Sequence, residues 1–163
     1  MHMQATAVVA TPEVVTVDGL YFEDMAIGYE FPVTARQVRL DDVRKFAELT
    51  GDTNPIHLDP VVAADSPFGT RVAHGALVLS LATGLAYQLG LVKGTVIFDS
   101  ITHEFCRPVK INDVIALHLK VANLEEIRRP KNFGKVTLNA IIKNQENKIV
   151  QNCVWNALVA KRL

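Results

Sequence analysis

The sequence predicts an α+β protein in which an antiparallel sheet wraps around one long, buried central helix. The first observation is an apolar helical stretch from Ala76 to Leu89, closed by Gly90, whose hydrophobic residues nearly encircle the helix. A helix that is apolar on all sides is expected to be buried. The second observation is a C-terminal half with four segments rich in β-branched residues, which is typical of strands: residues 95–107, 113–124, 135–143 and 149–159.

Length and composition indicate one globular domain. The chain has 163 residues, of which 49% are hydrophobic and 21% charged, a balance that suits a folded core rather than a disordered segment. Lys plus Arg and Asp plus Glu number 17 each, so the net charge provides no attraction to nucleic acid or to a membrane surface. Residues 1–18 are small and unpatterned and are expected to form a flexible leader, and residues 19–163 are expected to form the domain.

Cysteine content and hydropathy favour a cytoplasmic protein. Cys106 and Cys153 lie in strand-like runs, with neither a disulfide framework nor the Cys/His spacing of a zinc site. The N-terminal residues lack the basic and apolar regions of a signal peptide. No apolar run approaches the ~20 residues that a membrane-spanning helix needs. We therefore expect no metal, no cofactor, and no nucleic-acid or membrane partner.

The first half of the domain is predicted to begin with a short turn at residues 21–28 and a strand over residues 30–38. A helix follows over residues 40–49, and Gly51 ends it because glycine tolerates the positive φ of a helix C-terminus. Asp59 followed by Pro60 is typical of the N-cap and first position of a second helix, roughly residues 60–65.

Residues 50–60 concentrate polar side chains that no packing pattern requires. Pro55 forces Asn54 away from helical backbone, so Asp52 to Asn54 must form a turn. His57 is then held a few residues from Asp52 on a backbone with little freedom, which suits the positioning of an acid and a base. An alternative interpretation needs no catalysis. In many proteins such a turn only hydrogen-bonds its own backbone, and a histidine between two apolar residues is only packed.

Three stretches together are typical of one family: Gly51-Asp52-x-Asn54-Pro55-x-His57, Ala73-His74-Gly75 before the apolar helix, and Tyr21-Phe22-Glu23-Asp24-Met25-x-x-Gly28. They resemble the motifs of the MaoC-like (R)-specific enoyl-CoA hydratases, which have the hot-dog fold, and the resemblance covers about residues 20–160. It implies a homodimer with active sites at the subunit interface, and a higher oligomer remains an alternative. It also implies reversible addition of water to a trans-2-enoyl-CoA.

The resemblance further implies roles for individual residues. Asp52 and His57 fall on the catalytic pair, and Asn54 on a position that orders the site. Gly75 falls on the residue whose backbone N–H polarises the thioester carbonyl, and His74 is expected to hold the loop that presents it. Basic side chains are expected near the CoA phosphates, although such a run is also typical of a solvated hairpin tip: Arg128, Arg129, Lys131, Lys93 and Lys110.

Hydration chemistry suits an acid and a base that share one water molecule. A base activates the water and an acid protonates the α-carbon, while an N–H at a helix N-terminus stabilises the negative oxygen of the enolate. Which of the two side chains is the acid stays open. Two other functions also remain open: a hot-dog thioesterase, which would release a free thiol, and a non-catalytic module that binds acyl thioesters. Acyl carrier protein is an alternative to CoA as the carrier.

Overall fold

The computed structural model describes residues 19–90 and 96–162, so the predicted leader at residues 1–18 lies outside them. Within the described residues, one five-stranded antiparallel sheet packs with four α-helices, which confirms the predicted fold class. The helices are α1 (Leu40–Thr50), α2 (Pro55–Leu58), α3 (Pro60–Ala64) and α4 (Gly75–Gln88). The strands are β1 (Thr34–Gln37), β2 (Val96–Phe105), β3 (Val114–Glu126), β4 (Phe133–Asn144) and β5 (Ile149–Ala160).

The sheet has the strand order β1-β3-β4-β5-β2, and all neighbouring strands are antiparallel. The last three strands are joined by hairpins, whereas β2 lies at one edge and pairs with β5. In this register Phe105 at the end of β2 lies opposite Gln151 near the start of β5. The start of β3 is close by, because an isolated bridge joins Val72 to Lys110. One end of the sheet therefore meets the chain segment that leads into α4.

The core forms where α4 packs against the sheet. Apolar side chains of α4 are buried together with residues of β3, β4 and β5, among them Leu77, Val78, Ala82, Leu85, Leu117, Ile142 and Trp155. The opposite side of α4 is exposed in a single chain, with Tyr87 88% exposed and Ala76, Ser80 and Gly84 also at the surface. One sheet covers only one face of a helix, so the all-round burial suggested by the apolar pattern is not reached within one chain.

The local signals of the first half are confirmed with two differences. Gly51 ends α1 with a φ of 78°, and the Asp59 carboxylate accepts hydrogen bonds from the backbone of Val61 and Val62 at the start of α3. Residues 55–58, for which no helix was predicted, form α2. Proline is favoured in the first turn of a helix, and the Asn54 side chain caps it by accepting from the Ile56 N–H at 3.3 Å.

The first strand is also shorter than its predicted range of residues 30–38. Glu30 makes an isolated bridge to Lys120, and regular pairing resumes only at Thr34. Pro32 lies between them and has no N–H to donate to the ladder. No helix among the described residues is long and apolar enough to cross a membrane.

Two glycines give a matched test of packing. A Cβ at Gly134 would lie 2.2 Å from the Phe22 ring, whereas a Cβ at Gly84 in α4 would meet nothing within 4 Å. We expect Gly134→Ala to destabilise the protein by ~1–3 kcal/mol through overpacking. Gly84→Ala should stabilise it by ~0.5–1 kcal/mol, because alanine loses less backbone entropy in a helix. Urea unfolding of both variants measures this, and equal effects of the two substitutions would contradict the packing at Phe22.

Candidate active site

The backbone segment Val72–Gly75 connects the elements of the candidate site. The Val72 N–H donates to the Ile56 carbonyl of α2 at 3.4 Å, and the Ala73 N–H donates to the Val109 carbonyl at 2.7 Å. The segment is therefore fixed to α2 on one side and to the approach to β3 on the other. Its two remaining residues, His74 and Gly75, lead directly into α4.

This segment holds His57 in a defined tautomer. Its ring is 9% exposed, and Nδ1 lies 2.7 Å from the Val72 carbonyl oxygen. A carbonyl only accepts, so Nδ1 carries the proton and Nε2 keeps a free lone pair. Burial lowers the pKa of His57 below its usual range, a shift that the bond to Val72 partly opposes. The imidazole is therefore neutral at neutral pH and able to accept a proton.

His74 joins Asp52 to the site. The His74 ring is 3% exposed, and its Nε2–H donates to the Asp52 backbone carbonyl at 2.9 Å. The same ring stacks on His57, with a centroid separation of 3.7 Å and a tilt of 33°. The Asp52 carboxylate lies 4.0 Å from His74 Nε2 and is half exposed. We expected His74 to hold the loop that presents Gly75, and the structure shows which contact it makes: it ties the Asp52 turn to the residue before Gly75.

Asp52, His57 and His74 each offer a potential metal-ligand atom, and these atoms lie within 4.8 Å of one another. One nitrogen of each ring is engaged with a backbone carbonyl, which leaves His57 Nε2 and His74 Nδ1 as the remaining ring nitrogens. The two rings are stacked at a tilt of 33°.

Gly75 opens α4, where the first-turn N–H groups have no partner within the helix and the helix dipole is positive. The residue before it, His74, provides no side-chain cap. A Cβ at position 75 would lie 2.3 Å from the Phe105 ring. A side chain is excluded at this position, because its space is filled by the Phe105 ring. Because no side chain covers Gly75, the first-turn N–H groups of α4 form the polar surface of this helix end.

A cleft of about 370 Å³ brings several of these groups together, and its lining includes His57, Gly75, Phe105, Arg107 and Gln151. The Asp52 carboxylate lies beside the two histidines. Asn54 caps α2 with its side chain, which orders the turn between Asp52 and His57. A second, larger cavity of about 550 Å³ lies further along α4, and its lining includes Ala86, Leu138 and Trp155. Its lining contains none of the residues of the candidate pair.

The basic residues predicted to meet CoA phosphates lie in different parts of the structure. Lys110 lies beside the cleft through its bridge to Val72, whereas Lys93 lies outside the described residues. Arg128, Arg129 and Lys131 lie in the β3–β4 hairpin at the other end of β3. A strand of 13 residues rises roughly 40 Å, so these side chains are far from the cleft of their own chain.

Three residues near the cleft were missed from sequence. Arg107 lines the cleft and donates to the Ile149 carbonyl at 2.8 Å, and Arg71 lies next to Val72. Gln151 is 2% exposed, and its Nε2 donates to the Gly75 carbonyl at 2.7 Å. A signal for Gln151 did exist, because it lies in the inward-facing row of β5 with Cys153 and Trp155, and that row is otherwise apolar.

Comparison with known proteins agrees with the fold and the motifs. Residues 24–144 match the family model described as the MaoC like domain. A 3-hydroxybutyryl-CoA dehydratase of Methylorubrum extorquens is 40% identical over 110 residues, 68% of this chain and 69% of the relative. Protein MaoC of Klebsiella aerogenes is 34% identical over 61% of this chain, and only 30% of its own length is matched.

Solved structures show the same relationship. R-Hydratase PhaJ1 from Pseudomonas aeruginosa superposes with a TM-score of 0.75 at 28% identity, covering 88% of each chain. The MaoC-like dehydratase from Rhodospirillum rubrum gives a TM-score of 0.82 at 25% identity, covering 89% of this chain and 99% of that one. The chain belongs to the MaoC-like dehydratase family and has its hot-dog fold. It is thus an enzyme of the hydro-lyase class, which adds water to a carbon–carbon double bond or eliminates water to form one.

The lowered pKa of His57 predicts a pH dependence of stability. The folded pKa lies below the unfolded value of about 6.5, so the unfolded state binds more protons, and stability is lost as pH falls below that value. We expect His57→Gln to reduce the loss of unfolding free energy between about pH 7.5 and about pH 5.5. Burial also lowers the pKa of His118, so part of the loss should remain in the His57→Gln variant.

Urea unfolding at both pH values measures this difference. An unchanged pH dependence in His57→Gln would contradict the buried, neutral state of this imidazole.

Proposed function

We propose that this protein is an (R)-specific enoyl-CoA hydratase, or 3-hydroxyacyl-CoA dehydratase when it runs in reverse. The observation that carries the proposal is the convergence of three groups: a neutral buried imidazole at His57, the Asp52 carboxylate beside it, and the N-terminus of α4 at Gly75. The relatives named as a 3-hydroxybutyryl-CoA dehydratase and as an (R)-specific enoyl-CoA hydratase of Aeromonas caviae support the substrate class.

In the proposed reaction Asp52 and His57 share one water molecule. One of them removes a proton as the water oxygen bonds to C3 of the enoyl thioester, and the other delivers a proton to C2, so that the thioester is regenerated. Negative charge develops on the thioester oxygen between these events and is stabilised by the Gly75 N–H at the positive end of α4. The two proton-handling groups are coupled, so their acid and base roles belong to the pair.

Two alternatives differ in what they release. A thioesterase would direct the same water to the carbonyl carbon and produce a free thiol, whereas a binding module would produce neither product. The adjacent carboxylate and imidazole favour hydration, because a module that only binds gains little from a paired acid and base. A thiol-release assay run beside the hydration assay separates the three functions. An enoyl thioester on acyl carrier protein, tested in parallel, decides the carrier.

The pair itself gives the most direct prediction. Asp52→Asn removes the charge and His57→Ala the imidazole, and each should lower kcat for crotonyl-CoA hydration by ~10²–10⁴-fold, the range of general acid–base catalysis. The double variant should cost little more than the worse single one, because groups that act as a unit are non-additive. Loss of the enoyl absorbance measures the rate, and thermal melts check the fold. A folded single variant with near-native turnover would remove the pair from the mechanism.

We also propose a homodimer formed along β2. All ten residues of this strand are exposed, and they include large apolar side chains at an unpaired sheet edge: Val96, Ile97, Phe98, Ile101 and Phe105. Exposed apolar edges are association sites. Antiparallel pairing of β2 with its copy would cover this edge, and α4 offers a further uncovered face. Light scattering at micromolar concentration tests this, and a fully active monomer would contradict it.

The proposed dimer changes where the hairpin cations lie. In a twofold antiparallel pairing of β2, the Val96 end of one copy lies beside the Phe105 end of the other. The β3–β4 hairpin of the partner then comes to the side of the sheet that holds this chain's cleft. We propose that the CoA phosphates meet Arg107 and Lys110 of one chain, with Arg128, Arg129 and Lys131 supplied by the partner.

A comparison of KM values tests the phosphate contacts. Arg107→Gln with Lys110→Gln should raise KM for crotonyl-CoA more than it lowers kcat, because remote phosphates bind ground state and transition state alike. The crotonyl thioester of N-acetylcysteamine lacks all phosphates, so its kinetics should not change. Arg128→Gln with Arg129→Gln should raise KM as well if the partner's hairpin reaches the cleft. Unchanged KM values in both pairs would contradict the proposed phosphate contacts.

The state of the cysteines bears on the compartment of the protein. Cys106 and Cys153 are both free, and free thiols are usual in a reducing compartment. We propose a cytoplasmic location, which cell fractionation with an antibody against the protein tests. Recovery in an oxidising or membrane fraction would contradict it.

A further inference from the structure

Gln151 is a buried polar residue that the proposed mechanism has not used. It lies at the start of β5, is 2% exposed and faces the same cleft as His57 and Gly75. Its Nε2 donates to the Gly75 carbonyl at 2.7 Å, with the two residues 76 apart in sequence. Its Oε1 is buried and has no hydrogen-bond partner among the described residues. An unsatisfied buried acceptor costs free energy that an apolar side chain of the same length would avoid.

The bond to Gly75 is an addition to normal helix bonding. As the first residue of α4, Gly75 offers its carbonyl to the N–H four residues later in any case. What the Gln151 amide adds is a connection between the first turn of α4 and β5. The neighbouring Phe105 lies opposite Gln151 in the sheet register, and its ring occupies the space next to the Gly75 α-carbon. One pair of residues in the sheet thus fixes Gly75 by a hydrogen bond and by an apolar contact.

We propose that Gln151 is a positioning residue, which orients the first turn of α4 so that the Gly75 N–H faces the oxygen of a bound thioester. This inference rests on the proposed hydratase function. A donor that stabilises a developing negative charge works only if its position is fixed before the reaction. Small displacements matter at such a site, since a misplacement of ~1 Å can cost ~10²-fold in rate.

The kinetic test uses Gln151→Met, which keeps the length of the side chain and removes its donor. We expect kcat for crotonyl-CoA hydration to fall about tenfold, with KM within about twofold of the wild type, because the enolate interaction strengthens in the transition state. Asn156→Leu is the matched control: Asn156 lies on the same strand and bonds to Thr137 and Ser100. It should reduce thermal stability without this effect on kcat.

A spectroscopic test separates positioning from a merely structural role. In the Asp52→Asn background, bound 2,4-hexadienoyl-CoA should absorb at longer wavelength than the free thioester, because a hydrogen bond to the carbonyl oxygen polarises the conjugated system. Adding Gln151→Met should reduce this shift. A residue that only stabilises the fold would lower the melting temperature and leave the shift unchanged.

Gln151→Glu provides a second variant with a pH signature. A protonated carboxyl can donate to the Gly75 carbonyl and an ionised one cannot, so the ratio of variant to wild-type kcat should fall as pH rises. A pH-independent ratio, or Gln151→Met with native kcat and a full spectral shift, overturns the inference. If the wild type hydrates no enoyl thioester, the proposed function fails, and the spectral comparison still decides the role of Gln151. Absence of any shift in the Asp52→Asn background overturns the inference too.

Discussion

The backbone of Val72–Gly75 is the constraint on which the candidate site depends. Its Val72 carbonyl fixes the tautomer and orientation of His57, and its His74 side chain holds the Asp52 turn. Its last residue begins α4 and presents the helix N-terminus. An imidazole, a carboxylate and an N–H donor are thus attached to four consecutive residues, whose own backbone is bonded to α2 and to Val109. Any shift of this segment would move all three groups together.

The environments of these groups differ in a way that suits their chemistry. His57 is buried, which lowers its pKa and keeps it neutral, while the Asp52 carboxylate is half exposed to water. The helix end at Gly75 favours negative charge without carrying a titratable group of its own. Stacking of His74 on His57 adds a second imidazole whose charging would oppose that of the first. The site therefore combines a neutral proton acceptor with a region that stabilises an anion.

The exposed edge strand links this site to the proposed dimer. Phe105 of β2 packs on Gly75 and lines the cleft, while Phe98 of the same strand lines the second cavity along α4. A second copy paired along β2 would cover both regions and bring its own hairpin cations toward the cleft. Under the proposed function, assembly and substrate binding thus share one strand, which explains why one chain leaves so much apolar surface uncovered.

The sequence by itself determined most of the helices and strands, with α2 and the late start of β1 as the exceptions. It also determined the Gly51 end of α1, the Asp59 cap and the family motifs, because these depend on neighbouring residues and on a short hydrophobic period. Only the tertiary structure decided which face of α4 the sheet covers, why Gly75 must be glycine, and that Gln151 meets it. It also separated Lys110 from the hairpin cations that the sequence had grouped with it. The physical reason is that these features depend on strand register and strand order. Both arise from pairing between residues far apart in the chain, which no local pattern records.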